Sequence, residues 1–121
     1  MRFAEDTNSP FSIQSVSEDG VVIDGKHITR SILVNATTLQ DWPPRSIADM
    51  TGDDIAQCHS LDPEIVIIGT GRTQVFPPAE HVVTLQKKGI GVEIMANDAA
   101  CRTFNVLLSE DRHVLLALML G

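Results

Sequence analysis

Pro63-Glu64-Ile65-Val66-Ile67-Ile68-Gly69-Thr70-Gly71-Arg72 is a short β-branched run that stops in a Gly-Thr-Gly turn. Apolar residues without alternation, bounded by a proline and by glycines, predict a buried strand over 65–68. In α/β folds the loops at the carboxyl ends of such strands face an open crevice, and glycines let the backbone approach a bound group. The stretch carries no catalytic side chain. It points to a place for binding and to no particular reaction.

Downstream of that strand the pattern predicts helix 78–88, strand 90–95, helix 97–109 and strand 113–120, an alternation that signals a parallel sheet. Pro78 near the start of the first helix, Gly89 past its end, and Lys87 and Lys88 in its last turn specify its limits. The second helix sorts Ala100, Phe104, Leu107 and Leu108 onto one face and Asp98, Arg102, Asn105 and Ser109 onto the other. Val114 to Leu120 shows no alternation, so both faces of that strand need cover: helices on one side, and another helix or the N-terminal β layer on the other.

Upstream, the first third reads as β: Phe11 to Val16, Val21 to Ile23, and Lys26 to Val34, separated by Glu18-Asp19-Gly20 and Asp24-Gly25 turns. Ile28, Ile32 and Val34 share one parity and His27 and Ser31 the other, which predicts one buried and one wetter face. Asn35 to Pro44 reads as a loop. Thr51 then caps a short helix running to about Leu61, with Asp53 and Asp54 in its first turn. The fold class is α/β: one domain over residues 1–121, in which an N-terminal antiparallel meander precedes a βαβαβ parallel sheet with covering helices.

Bulk properties narrow the function. The 121 residues are 43% hydrophobic and 21% charged, which is globular rather than disordered, with no linker composition. Nine basic against 16 acidic residues give a charge of −7, which repels phosphate backbones and argues against nucleic acid as a partner. Cys58 and Cys101 stand far apart without a metal-ligand or disulfide pattern, and Met1 to Asp6 lacks the character of a targeting segment, so a reducing, cytoplasmic setting is expected. The apolar run ending at Leu120 is far shorter than the roughly 20 residues of a membrane span.

Strands 65–68 and 90–95 point the same way, so the Gly69-Thr70-Gly71 turn and the Asn97-Asp98 helix start are expected on one edge of the sheet. The candidate ligand-binding set is Gly69, Thr70, Gly71 and Arg72 with Arg102 and Asn105, in which free backbone amides and Arg102 hold an anion. The plainer alternative pairs Arg102 with Asp98 and leaves the glycines a tight turn.

A dinucleotide site fits poorly. Gln74 stands where a third glycine belongs, and Phe76-Pro77-Pro78 delays the helix that should meet the pyrophosphate. Cys58-His59 are sequence neighbours that do not face each other on a helix, and there is no G-x-S-x-G elbow, so no catalytic residue is assigned. His27, His59, His81 and His113 are dispersed, and neither a metal nor a cofactor is expected. Trp42-Pro43-Pro44 and Phe76-Pro77-Pro78 each either present a rigid apolar tip to a protein partner, through Trp42 and Phe76, or cap the domain's own core.

Taken together, residues 63–71, 89–95 and 100–107 with Glu110-Asp111-Arg112 resemble a small α/β family carried as a domain of unknown function. That family includes the adipogenesis-associated domain protein and the mitochondrial complex I assembly factor subunit 3. The resemblance covers essentially the whole chain and is strongest from Pro63 to Leu120. It implies a three-layered α/β domain, no established enzymatic activity and no catalytic residue. Where many relatives carry threonine at the start of the last helix, this chain has Asn97, another good N-cap.

The functional expectation is therefore a non-enzymatic accessory protein similar to the complex I assembly factor, with respiratory assembly components as protein partners. The competing expectation is a small-molecule or anion-binding domain, or an uncharacterised enzyme, with its pocket at the Gly69-Thr70-Gly71 loop.

Overall fold

The structure, a computed structural model, describes Phe3 and residues 9–121. Strands β1 (Ile13–Val16), β2 (Val21–Ile23) and β3 (Lys26–Ile28) form a three-stranded antiparallel sheet in the order β1-β2-β3. The Glu18-Asp19-Gly20 and Asp24-Gly25 breaks are its two turns. An added Cβ at Gly20 would stand 2.2 Å from the Ile28 carbonyl oxygen, so the first turn requires glycine for close approach.

A second, mixed sheet has the order β5-β4-β8-β6-β7, built from β4 (Ile32–Val34), β5 (Leu39–Asp41), β6 (Ile65–Gly69), β7 (Gly91–Met95) and β8 (Val114–Leu118). β6 pairs in parallel with β7 and β8, as the alternation predicts. β4 and β5 extend that sheet in antiparallel fashion. The predicted single strand from Lys26 to Val34 is thus two strands in two sheets. The chain changes sheet at Thr29-Arg30-Ser31, and there the Ser31 hydroxyl donates to the Leu120 carbonyl at 3.0 Å and accepts from the Leu120 N–H at 2.8 Å. Ser31 is consequently buried, and so is Leu33, because β4 lies between β5 and β8 with both faces covered.

The predicted loop from Asn35 to Pro44 contains β5. Asn35 Oδ1 accepts from the N–H groups of Thr37 and Thr38 and shapes a hairpin turn between β4 and β5. The polar character of that segment reflects an edge strand rather than a lack of strand.

Helix α1 (Gly52–Ser60) opens on the expected Thr51 cap, with a reciprocal capping box to Asp54. Helices α2 (Ala79–Gln86) and α3 (Asn97–Ser109) supply the two crossovers. β6 to β7 and β7 to β8 run in opposite directions across the sheet, so right-handed connections place α2 and α3 on opposite faces.

The core sorts accordingly. Val66, Ile68, Leu115 and Ala117 join Trp42 and Ile55 under α1 and α2, while Ile67, Leu116 and Leu118 join Phe104 of α3 and the three-stranded sheet. The layers are α1 and α2, the mixed sheet, and then α3 with the small sheet. Every residue from Val114 to Leu120 is buried, which accounts for the absence of alternation.

Candidate functional site

The carboxyl ends of β6, β7 and β8 converge on the glycine turn. Gly69 is the closest approach: a Cβ there would lie 2.6 Å from Leu118 Cδ1 and 2.7 Å from Asn97 Oδ1. Only glycine lets the start of α3 sit against the end of β6. Asn97 exploits that proximity. Its Oδ1 accepts from the Gly71 N–H at 2.9 Å, its Nδ2 donates to the Met119 carbonyl at 2.8 Å, and its own N–H donates to the Gly71 carbonyl at 2.8 Å.

One side chain therefore joins the ends of β6 and β8 to α3. Asn97 is the first residue of α3 rather than its cap; Ala96 holds the cap position and offers no side-chain bond. The short amide side chain is drawn away from the helix end because the Gly71 N–H and the Met119 carbonyl, both just past strand ends, lie within its reach.

Thr70 completes the turn. Its hydroxyl donates to the Thr73 carbonyl at 2.7 Å and accepts from the Val75 N–H at 3.0 Å, and its N–H donates to Met95 O at 2.9 Å. Gly71 has φ +105°, a conformation that disfavours a side chain. The amides of Thr70 and Gly71 are thus already donated within the protein, and the anion cradle of free amides expected from the sequence does not form at these two residues.

Beside the turn lies a cleft of about 750 Å³, lined among others by Glu18, Arg45, Gly71, Arg72, Asn97 and Asp98. That is ample for a small molecule. Arg72 Nη2 meets Glu18 Oε1 at 2.8 Å across it, tying the glycine turn to the β1–β2 turn of the other sheet. Both side chains are well exposed, so the pair contributes at most about 1 kcal/mol.

Of the residues singled out from sequence, Gly71 and Arg72 line the cleft, and Gly69 and Thr70 form the turn behind it. Arg102 is exposed on α3 and is not among the lining residues. Asn105 is brought to β1 instead, where its side chain accepts from the Ile13 N–H and donates to the Ile13 carbonyl, each at 2.8 Å. It lies two turns along α3 from Asn97, too far to share one site with the helix start. Arg45, Glu18 and Asp19 line the cleft without any signal in the sequence, since only the packing of one sheet on the other brings them there.

Trp42 is 2% exposed and its indole N–H donates to the Asp54 carbonyl at 3.2 Å, so it caps the core and presents no tip. Phe76 is 71% exposed, with Val75 and Val83 also exposed nearby in the chain. Cys58 and Cys101 are free and buried. Burial, reinforced by Asp54 for Cys58 and by Asp98 for Cys101, pushes each thiol up to about 12, so neither supplies a thiolate near neutral pH. Among the described residues no group of three or more His, Cys, Asp or Glu could hold a metal ion, and no helix is long and apolar enough to cross a membrane.

Comparison with known proteins places this geometry among relatives. The chain is 47% identical over 55 residues to the "13 kDa major membrane protein" of Francisella tularensis subsp. holarctica, a match covering 46% of this chain and 45% of that protein. It is 30% identical over 121 residues to NADH dehydrogenase (ubiquinone) 1 alpha subcomplex assembly factor 3 of Xenopus tropicalis, covering 98% of this chain and 66% of that one. The chain thus spans about half to two-thirds of the length of these curated relatives. A crystal structure of a Bordetella parapertussis protein superposes with a TM-score of 0.87 at 29% identity, covering 94% of this chain and 98% of the other. With the family model matching residues 13–119, the chain belongs to the family described as protein of unknown function (DUF498/DUF598).

Proposed function

We propose that this protein is an accessory factor of the assembly-factor kind, working through contacts with protein partners. The similarity to complex I assembly factor 3 supports the class. The observation that carries the contact mechanism is Phe76, a large apolar side chain 71% exposed immediately before two prolines. Pro77 restricts the backbone of Phe76, which lowers the entropy lost on docking, and interfaces are enriched in aromatic anchors. Exposed Val75 and Val83 add apolar surface along the same stretch of chain.

Respiratory assembly components are the partners this reading names, in a cytoplasmic setting. Capture with a tagged chain from native cells tests it. Recovery of respiratory subunits, reduced by Phe76→Ala, is the expected result. If repeated captures return no respiratory subunit or membrane-insertion component, and Phe76→Ala changes nothing, the reading fails.

A further inference from the structure

The cleft beside Gly71 does not include Phe76 in its lining, and contacts through that aromatic leave its construction unexplained. Val16, Met119 and Leu120 supply its apolar lining, each no more than 5% exposed. The backbone there is largely satisfied: the Met119 carbonyl accepts from Asn97, and the Leu120 N–H and carbonyl are both bonded to Ser31.

Its rim is charged. On one side Arg72 holds the Glu18 carboxylate at 2.8 Å, with both partners well exposed, a weak contact that exchanges readily with solvent or with another acid. On the other side the stem of Arg45 packs over Gly121, 3.2–3.3 Å from where a Cβ would stand, and its guanidinium has no ion-pair partner among the described residues. A concave site that combines a small apolar patch with placed polar and charged groups can orient a small molecule.

Glu18 shows what Arg72 is set to receive. A guanidinium fork matches a carboxylate in shape and charge, and here an internal carboxylate already occupies it. Glu18, Asp19 and Asp98 outnumber Arg45 and Arg72 in the lining, a net negative charge that repels polyanions such as phosphates more strongly than a singly charged acid. We infer that the cleft is a binding site for an organic monocarboxylate with an apolar body, whose carboxylate replaces Glu18 on Arg72. Arg45 supplies the second cation, and the apolar body lies over Val16, Met119 and Leu120. Glu18 is then an internal competitor. The same chemistry has two sources, a free small acid or the carboxyl terminus of a peptide.

Titration of 15N-labelled protein with hexanoate tests the site, with hexanol as the uncharged match. Hexanoate is expected to move the amides of Gly71, Asn97, Asp98 and Gly121 and the Arg72 side-chain N–H, and hexanol is not. Arg72→Gln and Arg45→Gln should each weaken hexanoate about tenfold, while Glu18→Gln should tighten it about threefold by freeing Arg72. A structural role for the ion pair alone would not give that tightening.

Equal shifts from hexanol, or a Glu18→Gln variant that binds no better than the parent, overturns the proposal. Ala-Ala-Leu with a free carboxyl terminus, compared with its amide, separates the two sources. Tighter binding of the free tripeptide than of hexanoate assigns the site to a chain terminus, and the reverse assigns it to a free acid. Equal binding of the amide overturns the carboxylate requirement.

Discussion

Trp42-Pro43-Pro44 and Phe76-Pro77-Pro78 share one sequence pattern and have opposite fates. Trp42 is 2% exposed and Phe76 is 71% exposed. The phase of the prolines differs as well: Pro44 is buried and Pro43 exposed in the first turn, Pro77 buried and Pro78 exposed in the second.

The cause lies in what precedes and follows each turn. Trp42 continues directly from edge strand β5, its N–H donating to Ser31 O at 3.0 Å, and α1 then lies across the same face so that the indole meets Asp54 O. Phe76 follows a turn fixed by Thr70, and the helix after it starts at Ala79 without covering it. An aromatic beside two prolines thus specifies a rigid turn. Whether that turn is core or surface depends on which helix packs over it.

Substitutions separate the two turns by size of effect. Trp42→Ala should cost about 3–5 kcal/mol, the range for emptying a buried aromatic site, read as a lowered urea midpoint. A loss below about 1 kcal/mol would break the contrast by showing Trp42 to be dispensable to the core.

Asn97→Ala should cost about 1–3 kcal/mol, because it leaves the Gly71 N–H and the Met119 carbonyl without their partner. Faster amide exchange from Thr70 to Val75 should accompany the loss, since Asn97 pins the turn that leads to Phe76. Unchanged exchange there would detach the orientation of Phe76 from the sheet end.

The thiols report on how firmly each face of the sheet is closed. Cys58 packs in the core that holds Trp42, and Cys101 in the core on the other face. Each has its folded pKa raised from 9.0 to about 12, so below pH 9 both chains, folded and unfolded, keep the proton and the full stability. As the pH rises above 9 the unfolded chain ionises first, and stability falls until the folded thiol also titrates. The loss should be about 1–2 kcal/mol per thiol at pH 10, visible in urea titrations and diminished in the Cys58→Ala and Cys101→Ala variants. Native protein at pH 8 should resist iodoacetamide at both positions. Rapid labelling of Cys58 alone would show the Trp42 side to be open.

The smallest effect on stability belongs to Phe76→Ala, expected within about 0.5 kcal/mol because the side chain is mostly in water already. Its expected consequence is loss of captured partners with an unchanged melting curve. A large destabilisation would instead make Phe76 part of the fold.

The elements that were legible from sequence are those whose cause is local. Thr51 and Asp54 cap α1 within one turn of chain, and the parallel arrangement of β6, β7 and β8 follows from strand and helix alternation. The sheet change at Thr29-Arg30-Ser31 was not legible, because it depends on Leu120, which is 89 residues away from Ser31. β5 was hidden for a related reason: Leu39-Gln40-Asp41 is an edge strand, and edge strands carry the polar residues of a loop.

At the site, the sequence located the turn and its neighbour α3 but misjudged the far side. Asn105 belongs to a contact with Ile13 across 92 residues of chain. Arg45 and Glu18 come to the cleft from loops that carry no motif.

By itself, then, the sequence determined the three helices, most of the strands, and the parallel core strand that runs into the glycine turn. Those follow from side-chain shape, capping and backbone freedom, which act over a few residues. The tertiary structure alone decided that Trp42 is inside and Phe76 outside, that Asn97 is a clasp rather than a cap, and that two arginines from separate segments flank one cleft. Each of these is set by the packing of one layer on another, where the partner is chosen by space and not by sequence distance.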